Sequence, residues 1–306
     1  VTRVLVLFLD GVGLGEPDPE RNPFVRARMP GLARLLDGQP LAASAAPFEG
    51  SRATLLSLDT TLGVAGRPQS ASGQAALLTG KNVPARIGSH YGPKPNGLIA
   101  RILREGNLFQ ETLQRGGTAA LLNAYPPRYF DSIRSGRRLY SAIPLAAHAA
   151  GLPLMTAKDL QEGRALSADF TGEGWAAQPQ FPPAPVYTPL EAGRLLAELA
   201  KRYQLAWFDY WPSDYIGHRG KMPEALRLLE VLDAVLTALV ETWGRRCDLI
   251  VITSDHGNLE DLSRRGHTEN PVPALLIGPK SLRRTFAKDL RDLTDFSTSV
   301  LRALFG

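Results

Sequence analysis

Asp248-Leu-Ile-Val-Ile-Thr-Ser-Asp-His-Gly-Asn258 is the stretch whose reading decides the fold. Leu249 to Ile252 is a continuous apolar run, the pattern of a strand buried on both faces. It runs into Ser254, Asp255, His256, Gly257 and Asn258, which are loop formers and metal-ligand types. An open α/β sheet carries its active site beyond the carboxyl ends of its strands, so two ligands delivered there point to that architecture. Neighbouring strand residues face opposite ways, so Asp255 and His256 share an ion only where the chain leaves the sheet. Gly257 is read as the residue that permits the turn. The pair is not isolated: His267 follows in Gly266-His-Thr-Glu-Asn-Pro-Val-Pro273, and Ala274 to Ile277 reads as another strand.

Working outward, the start of the chain repeats the theme. Val4 to Leu9 is a buried strand closed by Asp10-Gly-Val-Gly-Leu-Gly15. The three glycines invite a dinucleotide-binding reading. Asp10 would set a carboxylate where a pyrophosphate belongs, and Glu16-Pro-Asp-Pro-Glu20 is a poor start for a phosphate-binding helix. Asp10 is therefore read as a cation ligand at a strand end. Met29 to Leu36 carries a short helical pattern, and Ala53 to Leu58 reads as a strand. Pro68-Gln-Ser-Ala-Ser-Gly-Gln-Ala-Ala-Leu-Leu-Thr-Gly80 then leads small residues into an apolar helix. Ser70 or Ser72 would sit near its N-terminus, either as an ordinary cap or as a nucleophile in the phosphate-attracting field of the helix.

Helical patterns over Leu98 to Leu103 and Leu108 to Leu113 precede a strand, Thr118 to Ala124. From about Tyr129 to Tyr187 the chain is broken by Pro, Gly and polar residues, with helical patterns over Ala142 to Ala150 and Ala157 to Leu166. An amphipathic helix, Leu190 to Leu199, feeds the strand Leu205 to Phe208, which ends in Asp209-Tyr-Trp-Pro-Ser-Asp-Tyr-Ile-Gly-His218. Asp214 and His218 are one helical turn apart, so one face presents both to a single ion. Helices over Pro223 to Trp243 and Asp295 to Leu304, the latter capped near Thr294, complete the pattern. Strand-helix alternation predicts an α/β fold: a mainly parallel sheet with helices on both faces. Residues 1–128 and 187–306 form the core in this reading, and residues 129–186 a small cap or insert.

Composition sets bounds. Of the 306 residues 44% are hydrophobic, enough for a sizeable core. The formal charge of +5 is spread along the chain without a Lys/Arg block or aromatic-basic interleaving. That suits a small anionic substrate and gives no sign of nucleic-acid binding. No stretch approaches a membrane span, and Val4 to Leu9 is too short for a signal segment. The single cysteine, Cys247, excludes internal disulfides and thiolate metal clusters; it is read as a small core residue and suits a cytoplasmic setting.

Asp10, Ser70, Asp214, His218, Asp255, His256 and His267 each lie just beyond a predicted strand or at a helix start. Carboxylates and imidazoles together suit Zn2+, Mn2+ or iron, and seven ligands suit two ions. With these segments in view, the chain resembles the alkaline phosphatase superfamily, in its branch containing cofactor-independent phosphoglycerate mutase and phosphopentomutase. Asp255-His-Gly-Asn258, His267-Thr-Glu-Asn-Pro-Val-Pro273, Asp214-Tyr-Ile-Gly-His218 and Asp10-Gly-Val-Gly13 carry the likeness, over roughly Val1 to Tyr125 and Thr188 to Gly306. In that superfamily the nucleophile precedes a glycine by ten residues, and counting back from Gly80 gives Ser70 rather than Ser72.

The resemblance implies two divalent ions, Mn2+ or Zn2+. One would be held by Asp214, His218 and His267, the other by Asp10, Ser70, Asp255 and His256. It also implies an attack by Ser70 on a small phosphate ester. The mutases carry a large inserted domain that clamps phosphate and excludes water; here residues 129–186 stand in its place, with Arg128, Arg134, Arg137, Arg138 and Lys158 as candidate clamps. So small a lid favours hydrolysis. An intramolecular phosphomutase is the alternative, and a catalytically silent metal-binding protein the third reading. Lys81, Arg86 and His90, with Lys94, follow the nucleophile helix as candidate substrate contacts.

Overall fold

The computed structural model describes residues 1–243 and 248–306; Cys247 lies outside the described residues. Among the described residues the main sheet has seven strands. They are β1 (Arg3–Leu9), β2 (Phe48–Glu49), β3 (Ala53–Leu58), β4 (Ala119–Leu121), β5 (Leu205–Tyr210), β6 (Asp248–Thr253) and β7 (Val272–Ile277). Their spatial order is β2-β3-β7-β6-β1-β5-β4. The centre is parallel, as expected: β1 pairs with β5 and β6, and β5 with β4. β7 runs antiparallel to both β6 and β3, and β2 antiparallel to β3, so the sheet is mixed. The reversal has a local cause. No helix lies between β6 and β7, whereas a parallel crossover needs one.

Alternation along β1 divides the core in two. Val4, Val6 and Phe8 face one layer with Trp207, Val251 and the helix Ser70–Thr79. Leu5, Leu7 and Leu9 face the other, under the helices Pro189–Ala200 and Met222–Thr242. Each β1 side chain from Val4 to Leu9 is almost wholly buried, as a strand covered on both faces requires.

The expected strand Thr118 to Ala124 splits. β4 ends at Leu121, and Ala124–Tyr125 pairs instead with Met155–Thr156 in a separate two-stranded sheet. Asn123 causes the break: its side chain bonds the backbone of Asp209 in both directions, at 2.8 Å each, and so replaces the ladder. The helix expected over Ala157 to Leu166 stops at Gln161, and Gly163 follows with φ of 66°. Within residues 129–186, helix Ala142–Ala149 is buried in the first core layer and Phe170 in the second. Leu160, Ala165 and Trp175 form a small cluster of their own. No helix among the described residues is long and apolar enough to cross a membrane.

Candidate metal centre

Parallel strands open their carboxyl ends at one edge, and the expected ligands gather there. β1, β5 and β6 run in register, with Phe8 opposite both Asp209 and Thr253. Asp10 and Asp255 therefore leave adjacent strands side by side. Gly11 makes the turn after Asp10 possible, with φ of 66° and no room for a Cβ, which would come within 2.5 Å of Asp214 Oδ1. Gly257 serves differently from the expected reading. It is not among the left-handed glycines; a side chain there would collide with Thr268 and Glu260.

Ser70 is the first residue of its helix, after Gln69 at the cap position. Its Oγ lies 3.0 Å from His256 Nε2. Ser72 is spent on the backbone: its hydroxyl donates to Gln69 O at 3.2 Å and accepts from Tyr91 N–H at 2.9 Å. The two serines that the sequence left open thus have different surroundings. His256 Nε2 also lies 3.6 Å from Asp10 Oδ1 and 3.5 Å from Asp255 Oδ2, and Gln74 donates to that Asp255 oxygen at 3.1 Å.

A second group adjoins the first. His218 Nε2 lies 3.1 Å from His267 Nε2 and 3.4 Å from Asp214 Oδ2, and His267 Nε2 is 3.8 Å from Asp214 Oδ1. His256 and His267 stack with ring centroids 3.7 Å apart, which joins the groups. One donor atom each from Asp10, Asp255 and His256 lie within 4.8 Å of one another, as do those of Asp214, His256 and His267. His256 faces both groups, so distance alone does not divide the ligands as the resemblance does.

Hydrogen bonds behind these candidate ligands fix how they present themselves. His267 Nδ1 lies 2.8 Å from Pro68 O, to which it donates, leaving the Nε2 lone pair turned to the centre. Burial, then the charge of His256, push His267 down to about 4, so it is a neutral imidazole at neutral pH. Burial raises Asp214, but bonds from His218 and Asn258 and the charge of His256 prevail and hold it at about 2. Asp10 is pushed well up by burial and by the charges of Asp255, Asp214 and Asp209. Burial also raises Asp255, against the pull of His256.

Two acidic residues escaped the sequence reading. Asp209, buried at the end of β5, is pushed up to about 7 by burial and Asp255. An acid closing an otherwise apolar strand was the available signal. Glu260 is 1% exposed and accepts from Gly13 N, Asn258 N, Asn270 Nδ2 and the Thr268 hydroxyl, tying three loops together. No spacing in the sequence marks it.

The expected substrate contacts are spread out. Lys81 follows the far end of the Ser70 helix, whose ten residues span about 15 Å. Arg86 is an exposed residue of helix Val83–Ile87. His90 bonds Val64 O at 3.2 Å, next to Tyr91, which is pinned to Ser72 at the start of the Ser70 helix. Among the clamp candidates, Arg134 and Lys158 pair with Asp131 and Glu162, and Arg138 covers the Tyr129 ring at 4.9 Å. Burial and Arg138 lower Lys94.

Residues 190–305, which hold Asp214, His218, Asp255, His256 and His267, match the profile of the metalloenzyme superfamily. The 2,3-bisphosphoglycerate-independent phosphoglycerate mutase of Laribacter hongkongensis is 26% identical over 236 residues, covering 70% of this chain and 44% of that protein. The enzyme of the same name from Picosynechococcus is 38% identical over 81 residues, 24% of this chain and 15% of that one. The chain spans less than half the length of these curated relatives. The PH0037 protein of Pyrococcus horikoshii superposes with a TM-score of 0.58 at 14% identity, covering 99% of this chain and 96% of that one. A cold-active alkaline phosphatase from Shewanella gives 0.53 at 13% identity, over 99% and 100%. The fold is thus alkaline phosphatase-like, and the resemblance read from the motifs is met.

The superfamily matched over residues 190–305 implies divalent metal ions, and the residues present here fit them. Asp10 Oδ1 and Asp209 Oδ1 are buried without a hydrogen-bond partner. Among the described residues the ion pairs of Asp10, Asp214 and Asp255 involve only histidines. Buried carboxylates crowded together without a lysine or arginine require a cation or a proton.

Proposed function

We propose that this protein is a metalloenzyme that transfers a phosphoryl group to Ser70 and then to water, hydrolysing a small phosphate ester. The observation that carries the reading is the 3.0 Å approach of Ser70 Oγ to His256 Nε2, at a helix start and beside Asp10 and Asp255. In this proposal Asp214, His218 and His267 hold one ion and Asp10, Ser70, Asp255 and His256 the other, Mn2+ or Zn2+. Divalent ions, when bound there, lower the pKa of a hydroxyl and offset phosphate charge.

The protein's own part follows from the geometry. Ser70 Oγ gives up its proton to solvent and attacks phosphorus in line; the Oγ–P bond forms as the ester P–O bond breaks, and the departing alcohol takes a proton from solvent. The N–H groups of Ser70 and Ala71 face the transferred phosphoryl oxygens, those of Ser72 and Gly73 being taken by Tyr91 O and Gln69 O. Gln74 and Asn258 keep Asp255 and Asp214 in position, and Pro68 O keeps His267 in its ligand tautomer. Water then attacks phosphoserine, releasing inorganic phosphate and restoring Ser70.

The intramolecular phosphomutase remains the second reading, favoured by the names of the curated relatives. Incubating metal-loaded protein with a panel of phosphate esters separates the two. Hydrolysis predicts free phosphate, with a transient acid-stable phosphoserine at Ser70. Isomerised product without free phosphate would overturn hydrolysis in favour of the mutase.

A further inference from the structure

The helix Pro212–Arg219 carries more than Asp214 and His218. Trp211, Asp214, Tyr215 and His218 fall at i, i+3, i+4 and i+7, one continuous stripe. In an ordinary helix an aromatic stripe faces the core. Here Trp211 and Tyr215 are 51% and 53% exposed. The core-side work is done by other residues: Ser213 donates to Asp10 O and Tyr210 O, and Gly217 is pressed against Asn258. The stripe is thus a fixed shelf whose aromatic part looks outward.

The shelf forms one wall of a cleft of about 590 Å3 that also takes in Asp10, Asp214 and His218. Arg265 lines it too, and the Arg219 guanidinium lies 5.3 Å from the Tyr215 ring centroid. A single exposed aromatic needs no explanation. Two neighbouring ones, sharing a cleft with the phosphoryl-transfer centre and two arginines, define what fits: an anion at one end and a flat ring at the other. Planar rings stack on aromatic faces and on guanidinium planes.

We infer that Trp211 and Tyr215 form a stacking platform for the alcohol portion of the substrate, which is a phosphate monoester bearing a planar ring of the nucleoside or aryl type. This rests on the phosphoryl-transfer reading above, and names the substrate class for that site.

Adenosine 5′-monophosphate, benzyl phosphate and ribose 5-phosphate are all esters of primary alcohols, and only the last lacks a planar aromatic ring. For the metal-loaded enzyme, kcat/KM should be about tenfold higher on a ring-bearing ester than on ribose 5-phosphate. Trp211→Ala and Tyr215→Ala should each lose about tenfold on the ring-bearing ester, and under about twofold on ribose 5-phosphate. Preference for the adenosine ester over the benzyl ester assigns a nucleoside, and the reverse an aryl group.

A binding readout keeps the two readings apart. Trp175, Trp207 and Trp243 are buried, so quenching by an added ligand reports chiefly on Trp211. In the metal-loaded Ser70→Ala protein, adenosine 5′-monophosphate should quench fluorescence where ribose 5-phosphate does not, and Trp211→Phe should remove the effect. Quenching without hydrolysis of any ester would sink the hydrolytic reading and leave the platform. Equal turnover of all three esters, no ring-dependent quenching, or equal losses on every ester in the variants would sink the platform.

Discussion

Replacing Glu260 tests how the centre is held together. Its carboxylate accepts Gly13 N at 2.9 Å, Asn258 N at 2.7 Å and Asn270 Nδ2 at 3.0 Å, with the Thr268 hydroxyl as a fourth donor. These donors belong to the loop after Asp10, the loop after His256 and the loop after His267. Glu260→Ala strands two buried backbone N–H groups and an amide, each costing about 1–3 kcal/mol when unsatisfied. Water filling the gap reduces the sum, so a loss of about 4 kcal/mol is expected. At roughly 2 °C per kcal/mol for a chain this long, the melting temperature should fall by about 8 °C. Glu260→Gln keeps the shape and one acceptor oxygen, and should lose about half as much. The assay is thermal and denaturant unfolding in chelator, repeated with added Mn2+. Metal affinity should fall with stability, because Asp10, His256 and His267 lose their common anchor. A Glu260→Ala protein within about 1 kcal/mol of the parent, or one matched in loss by Glu260→Gln, would refute the reasoning.

Ser70→Ala should abolish turnover and retain metal, whereas Ser72→Ala should keep most activity but lose about 1–2 kcal/mol of stability, since its hydroxyl bridges Gln69 O and Tyr91 N; swapped outcomes in phosphate release would overturn the nucleophile. Asp214→Ala or His267→Ala should reduce bound metal from two equivalents to one by elemental analysis, and unchanged stoichiometry would refute the proposed grouping. Without metal, stability should fall as pH rises from 5 to 8. Asp10, Asp209 and Asp255 are raised, Asp209 to about 7, and His218 is raised too, so each binds protons more readily folded than unfolded across that window. His267, lowered to about 4, opposes them up to its unfolded value of 6.5. Asp209→Asn should flatten the fall and Mn2+ reverse it; a metal-free melting temperature that climbs with pH would show the carboxylates to be neutralised otherwise.

Local sequence was enough for much of this molecule. An apolar run with no polar interruption can only be a strand or helix covered on all sides, so β1 and β6 were legible. A carboxylate and an imidazole one turn apart, as in Asp214 and His218, necessarily share a helix face. The direction of β7 was not readable in its own residues, because alternation is the same for parallel and antiparallel pairing. The clue lay in the missing helix before it. Nor could the split after Leu121 be read locally, since Asn123 finds its partner 86 positions away, in Asp209.

Two serines at one helix start are chemically alike in sequence. Beyond the spacing to Gly80 that the resemblance supplied, it is packing that distinguishes them, by giving the Ser72 hydroxyl a backbone bridge and the Ser70 hydroxyl an imidazole. Burial likewise decides the charge state of Asp209 and the importance of Glu260, because desolvation and hydrogen bonding depend on what the rest of the chain brings near. Residue type and short-range spacing determined which groups this protein has for binding cations. The folded sheet alone decided which of them meet, since such encounters join segments as distant as Ser70 and His256, and no local periodicity encodes them.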